Sequence, residues 1–322
     1  MFNHVIVGDW TELSHSCGSA FDIPYQLQSL ASDNSKEREK AISDLRDNIF
    51  CDGMYYEVSP YVIPELYKLL ADKGVMDKHE IVTLLTALVL DFWQHHNLAT
   101  GINFEKNDTI QHSNINNCQI YLKKRCYEAV EKEIPKLISL ISIDNARLNS
   151  SIFYALSWFP KNKEQSLQVI KKFFNDMSDL DTIINAIFAI GMLSKSSKDL
   201  QSFKLEPLLS DSNRAIRVAT AMTFARHSLN HTIIDILSEA VDFLGDINRG
   251  YSYLLWFWDE EVYINFLFEL LKVNQDKEVI HLWYENLRLN DVFEYRNLPN
   301  FVKKQIYRVC KSLNPDQLYF SF

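Results

Sequence analysis

The chain has 322 residues, 47% hydrophobic and 23% charged, the balance of a folded protein with a sizeable core rather than of a disordered one. Its formal charge of −9 argues against a general affinity for nucleic acid, which rests on clustered Lys and Arg. Eight Gly and eight Pro are too few for the tight turns of a β-rich fold, so the chain reads as all-α.

Residues 1–23 hold a short apolar stretch and then Trp10, Leu13, His15, Gly18 and Asp22 before any helical period, and read as an N-terminal cap. No basic segment leads into an apolar core, so no signal peptide is expected. Pro24 opens the first helix, where its missing N–H costs nothing. A Ser32-Asp33-Asn34-Ser35 turn leads into a second helix carrying Arg38, Ala41, Ile42 and Leu45. The next hairpin is predicted over 61–70 and 79–93. Its apolar run at 81–90 is too short to span a bilayer and suits a buried helix.

The spacing of Trp10, Leu13, His15, Gly18, Ala20, Asp22 and Pro24, followed by Gly53, Tyr55 or Tyr56, Pro60 and Pro64, resembles the opening module of bacterial HEAT-repeat proteins. The likeness covers about the first seventy residues. It departs from the family at Cys51-Asp52-Gly53, where a His-Gln-Gly-like triplet is usual, so no role of that histidine carries over. The resemblance implies a right-handed α-solenoid of HEAT-like hairpins. It also implies a structural ladder in which a turn Asp and a second-helix Arg pair between neighbours, here Asp33 with Arg38 and Asp211 with Arg217. For function it implies a protein-binding scaffold, immunity proteins that neutralise secreted toxins included.

From 94 to 113 the apolar period disappears, leaving a long polar loop with His95, His96 and Gly101 that is expected to be mobile or to fold on a partner. A helix over 117–130 follows, with Lys123-Lys124-Arg125 read as solvated charges. Hairpins are then predicted over 134–141 with 147–158 and over 164–174 with 180–192. The pattern is plainest at 200–227. There Leu200, Phe203, Leu208 and Leu209 recur at helical spacing and a polar turn occupies 210–213. Ala215, Val218, Ala219, Met222 and Ala225 then form one stripe of a second helix. Such a hairpin cannot bury its own apolar face and needs like units beside it. Turn acids support the repeat: Asp33 to Asp72, Asp144 to Asp179 and Asp179 to Asp211 are spaced by 39, 35 and 32 residues.

Residues 24–230 thus read as helical hairpins and 231–322 as degenerate helical repeats with a cap, one continuous domain in all. Between 231 and 270 stand eight acidic residues and one basic, Arg249, which predicts a negative field. Within that region Tyr251, Tyr253, Trp256, Trp258, Asp259, Glu260, Glu261 and Tyr263 interleave aromatics with acids. Most of the aromatics suit a core, but one segment cannot turn all of them inward. These eight residues are the candidate partner-binding set, with Trp256 or Trp258 as anchor and the carboxylates as a rim facing a partner with a basic surface.

Enzyme chemistry leaves little trace. No two glycines form a phosphate loop, and no local signature of a serine or cysteine nucleophile stands out. His227 and His231 are separated by Asn230 and a helix end. Asp91 with His95 would share a helix face as metal ligands, but imidazoles at a helix C-terminus are the plainer account of His95 and His96. No metal or cofactor is expected. Cys17, Cys51, Cys118, Cys126 and Cys310 contain no C-x-x-C pair and fit reduced thiols in the cytoplasm. The sequence therefore predicts a non-enzymatic α-solenoid that binds another protein and does not insert into a membrane. The alternatives are a nucleic-acid-acting HEAT-repeat enzyme of the DNA glycosylase type and a tetrapyrrole lyase subunit.

Overall fold

The computed structural model describes residues 9–51, 53–90, 114–194 and 197–240, which are mostly helical, with twelve α-helices and two short β-hairpins among them. They fall into two compact units, one ending at Asp176 and one beginning at Met177, a boundary inside the stretch that the sequence presents as a run of hairpins. None of the described helices is long and apolar enough to cross a membrane.

In the first unit, Asp9 caps a 3₁₀ turn at Trp10–Glu12 by accepting the Thr11 N–H. Strands β1 (Ser14–His15) and β2 (Gly18–Ser19) then pair antiparallel. Gly18 stands at φ +127°, a backbone state that a side chain would strain. Helix α1 (Ile23–Ser29) follows with Pro24 in its first turn, and α2 (Ser35–Ile49) starts from an Asn34 cap. The same order then recurs: strands β3 (Phe50–Cys51) and β4 (Met54–Tyr55) around Gly53 at φ +76°, then α3 (Ser59–Ala71) with Pro60 in its first turn. Ile23 and Val58, fully buried, mark the corresponding helix entries.

Helix α4 (Lys78–Leu90) packs on α3 and α2, and α5 (Asn114–Lys132) packs on α3, α4 and β4. The unit continues through α6 (Ile134–Ser139), α7 (Ala146–Leu156), which lies against α4, and α8 (Lys163–Phe173). Val62, Ile63 and Leu66 of α3, Val82, Leu85 and Leu88 of α4, and Ile152 and Phe153 of α7 fill the core. Buried tyrosine hydroxyls reach carbonyls at or just past helix ends, where the intrahelical ladder runs out. The Tyr55 hydroxyl donates to the Leu88 carbonyl at 2.7 Å, that of Tyr67 to Val130 at 3.4 Å and that of Tyr127 to Trp158 at 3.2 Å. These bonds join residues 33, 63 and 31 positions apart, about one or two hairpins.

The second unit begins with α9 (Leu180–Leu193), capped by Asp179. The helix predicted over 200–209 is broken into α10 (Ser197–Gln201) and a 3₁₀ turn at Glu206–Ser210, with Lys204 between them at φ +53°. Pro207 accounts for the break: it has no N–H to bond back to the preceding turn, and it falls instead in the first turn of a new 3₁₀ helix, where that loss costs nothing. Leu200 and Leu205 are consequently the buried residues, while Phe203, Leu208 and Leu209 are only half-buried. Helix α11 (Arg214–Ala225) buries its whole predicted stripe, Ala215, Val218, Ala219, Met222 and Ala225, between α9 and α12 (His231–Ala240). The approach to α9 is close, because a Cβ placed on Gly191 would lie 2.6 Å from Thr223 Oγ1. Thr223 also donates to the Ile187 carbonyl at 3.1 Å.

Candidate functional site

The aromatic and acidic set Tyr251, Tyr253, Trp256, Trp258, Asp259, Glu260, Glu261 and Tyr263 lies outside the described residues. So do Asp91, His95, His96 and the loop at 94–113. The ladder residues are described, and their partners differ from the expected ones. Arg38 Nε donates to Asp77 Oδ2 at 2.7 Å, just before α4, and Nη1 donates to the Ser32 carbonyl at 2.8 Å. Arg38 therefore links neighbouring hairpins, with Asp77 rather than Asp33 as the acid. Arg217 donates to the Asp211 and Ser212 carbonyls at 2.7 and 3.3 Å, while the Asp211 carboxylate accepts the Asn213 N–H. Side chains on a helix lean toward its N-terminus, so an arginine four residues past the cap meets its own turn first. Asn149, four past the Asn145 cap, does the same by bonding both backbone groups of Ser142.

The N-terminal hairpin brings Cys17, His15 and Asp22 together, a composition that invites comparison with a nucleophile, base and acid. The geometry answers otherwise. The Cys17 backbone N–H donates to His15 Nδ1 at 2.9 Å, which places the proton on Nε2, and Nε2 donates to Asp22 Oδ1 at 2.9 Å. Both ring nitrogens are thus committed to holding the hairpin on α1, with Asp22 also accepting from Gln26. Among the described residues no group of three or more His, Cys, Asp or Glu is placed to hold a metal ion. His227 follows α11 while His231 begins α12, so the two share no helix face. Burial, and then the charge of Arg226, push the His227 imidazole below its ordinary range.

A different surface is built on α5. Its residues Leu122, Cys126, Tyr127 and Val130 face the core, and the helical period therefore turns Ile120, Tyr121 and Lys124 outward. Tyr121 is 59% exposed and Ile120 42%. Tyr121 and Arg125 are four apart and so adjacent on the helix surface. The Arg125 guanidinium lies 4.9 Å from the ring centre of Tyr61, in the first turn of α3, and 5.7 Å from that of Tyr121. Hydrogen bonding to Tyr61 raises its affinity for the proton further. Nearly two turns before Arg125, Gln119 fixes the register of α5 on β4: it accepts the Tyr55 N–H at 2.8 Å and donates to the Tyr55 carbonyl at 2.9 Å. Met54, beside that clamp, is exposed.

This face presents a flat, held cation among aromatic and aliphatic side chains, with the exposed thiol of Cys118 one turn before Tyr121, an arrangement suited to recognition. The Tyr121 to Arg125 spacing is visible in the sequence. The contribution of Tyr61 is not, since only folding brings α3 to α5. Comparison with known proteins adds no analogy: no family model, no curated protein and no solved structure matches the chain.

Proposed function

We propose that the chain is a non-enzymatic protein-binding scaffold, built as a right-handed α-solenoid of HEAT-like hairpins, that neutralises or regulates a partner such as a secreted toxin. Support for the repeat architecture comes from side-chain bonds that join positions one or two hairpins apart and from the recurring cap with a reach-back residue at Asn34, Asn145 and Asn213. The observation that carries the functional reading is the Arg125 guanidinium set between the half-buried Tyr61 and the exposed Tyr121, because aromatics and arginine are the residue types that concentrate binding energy at interfaces. The acidic and aromatic residues between Tyr251 and Tyr263 supply, in the same reading, a contact for a basic partner. Affinity purification from the native host, followed by reconstitution from purified components, tests it. The expected result is a stoichiometric complex on size-exclusion chromatography. Failure of every candidate to co-elute, or base release from alkylated DNA by the purified chain, would overturn it.

A further inference from the structure

We infer that the α5 face around Tyr61, Tyr121 and Arg125 docks an acidic segment of a partner protein, with a partner carboxylate on Arg125 and an apolar partner side chain against Ile120 and Tyr121. This rests on the protein-binding reading and adds the chemistry of one occupant.

Charge complementarity is the first support. Acidic residues outnumber basic ones 42 to 33, and several cations of this unit have carboxylates: Arg38 with Asp77, Lys68 with Glu65, Lys136 with Glu133, Lys161 with Glu131. Arg125 has two tyrosine rings instead, and among the described residues no carboxylate within ion-pair distance. The neighbouring Lys124 is well exposed with Glu128 at 4.0 Å, so that pair cancels in net charge and Arg125 is left as the local cation. In a chain of charge −9 this is a local positive spot toward which a carboxylate is steered.

Preorganisation is the second support. A guanidinium offers its donors as a rigid fork matched to a carboxylate, and two flanking rings hold that fork without consuming all of its N–H groups. Gln119, clamped to Tyr55, anchors the helix that carries it. The conformational freedom lost on binding is therefore small. A nucleic acid fits less well: its successive phosphates would meet the field of the whole acidic chain, whereas one or two carboxylates need only this spot.

The test pans a random-peptide phage library on the intact chain, with Arg125→Ala as the counter-target. Enriched peptides are expected to carry Asp or Glu beside aromatic or aliphatic residues. A synthetic peptide from that set, measured by fluorescence anisotropy, should bind Arg125→Ala about tenfold more weakly, with Arg125→Lys recovering only part because an ammonium cannot form the fork. Amidation of the peptide's acidic side chain should weaken binding to the wild type by the same factor and add nothing in Arg125→Ala. Tyr121→Ala, which trims an exposed ring, gives a second variant whose circular dichroism should match the wild type and whose binding should fall. Enriched peptides without acids, or with equal affinity for Arg125→Ala, would overturn the assignment while leaving protein binding at another face intact. Tighter, Arg125-dependent binding of a single-stranded oligothymidine would overturn it as well.

Discussion

Gly191→Ala sets two effects of opposite sign against each other, and the geometry of α9 and α11 decides between them. In a helix, exchanging Gly for Ala stabilises by about 0.5–1 kcal/mol through the lost backbone freedom of the unfolded chain. Here the new Cβ would lie 2.6 Å from Thr223 Oγ1 and 3.1 Å from both Thr223 Cβ and Cγ2. Rotating Thr223 so that its Cβ hydrogen faces the new methyl would relieve the 2.6 Å contact, but it breaks the bond to Ile187, leaves the 3.1 Å contact to Cβ and must place both branches in buried surroundings. The helices must part, at the roughly 1–3 kcal/mol typical of an overpacked core. Gly191→Ala is therefore expected to destabilise the chain by about 1–2 kcal/mol, read as a lower urea midpoint with an unchanged slope. Thr223→Ala removes every side-chain atom that clashes except Cβ, at the loss of its bond to Ile187. In that background Gly191→Ala should become neutral or stabilising, a coupling of about 1–3 kcal/mol between the two positions. Unchanged or raised stability of Gly191→Ala alone would refute the close packing of α9 on α11.

Asn213→Ala removes the acceptor for the Ala215 and Ile216 N–H groups and should cost about 1 kcal/mol in the same urea assay, with Asn213→Asp retaining most of it. Gln119→Leu strands both backbone groups of Tyr55, so hydrogen exchange at the Tyr55 amide should accelerate markedly while amides in the middle of α9 keep their protection. His227 has a folded-state pKa below the ordinary 6.5, from burial and then Arg226, opposed by Asp199. Protons then bind the unfolded chain first, so its contribution is complete above about pH 6.5 and is lost as pH falls below it. His227→Gln should flatten the fall in stability between about pH 6.5 and 5, and an identical slope in both proteins would rule out the assigned burial.

Much of the local structure was legible in residue types. The α11 stripe, the Asn34 and Asn213 caps, the Asp179 cap and the Pro24 start depend on interactions within a turn or two, which sequence states directly. The broken helix before Glu206 was legible too, through Pro207, but the apolar spacing of Leu208 and Leu209 pointed the other way and the missing N–H prevailed. The hairpins β1–β2 and β3–β4 left no alternating pattern because each strand is two residues long, and only the left-handed glycines mark them.

By itself, then, the sequence determined that the described residues are mostly helical, the order of most of their helices and many of the faces these bury, since periodicity and capping act over a few residues. Tertiary structure alone decided the partners: Asp77 for Arg38, Tyr61 for Arg125, Tyr55 for Gln119 and Thr223 for Gly191. Each pair joins helices or hairpins far apart along the chain, and one sequence records the shape of an element without recording which neighbour it meets. His15 and Cys17 make the same point for chemistry, because their spacing admits a reactive pair and the fold instead gives the ring nitrogens to a backbone N–H and to Asp22.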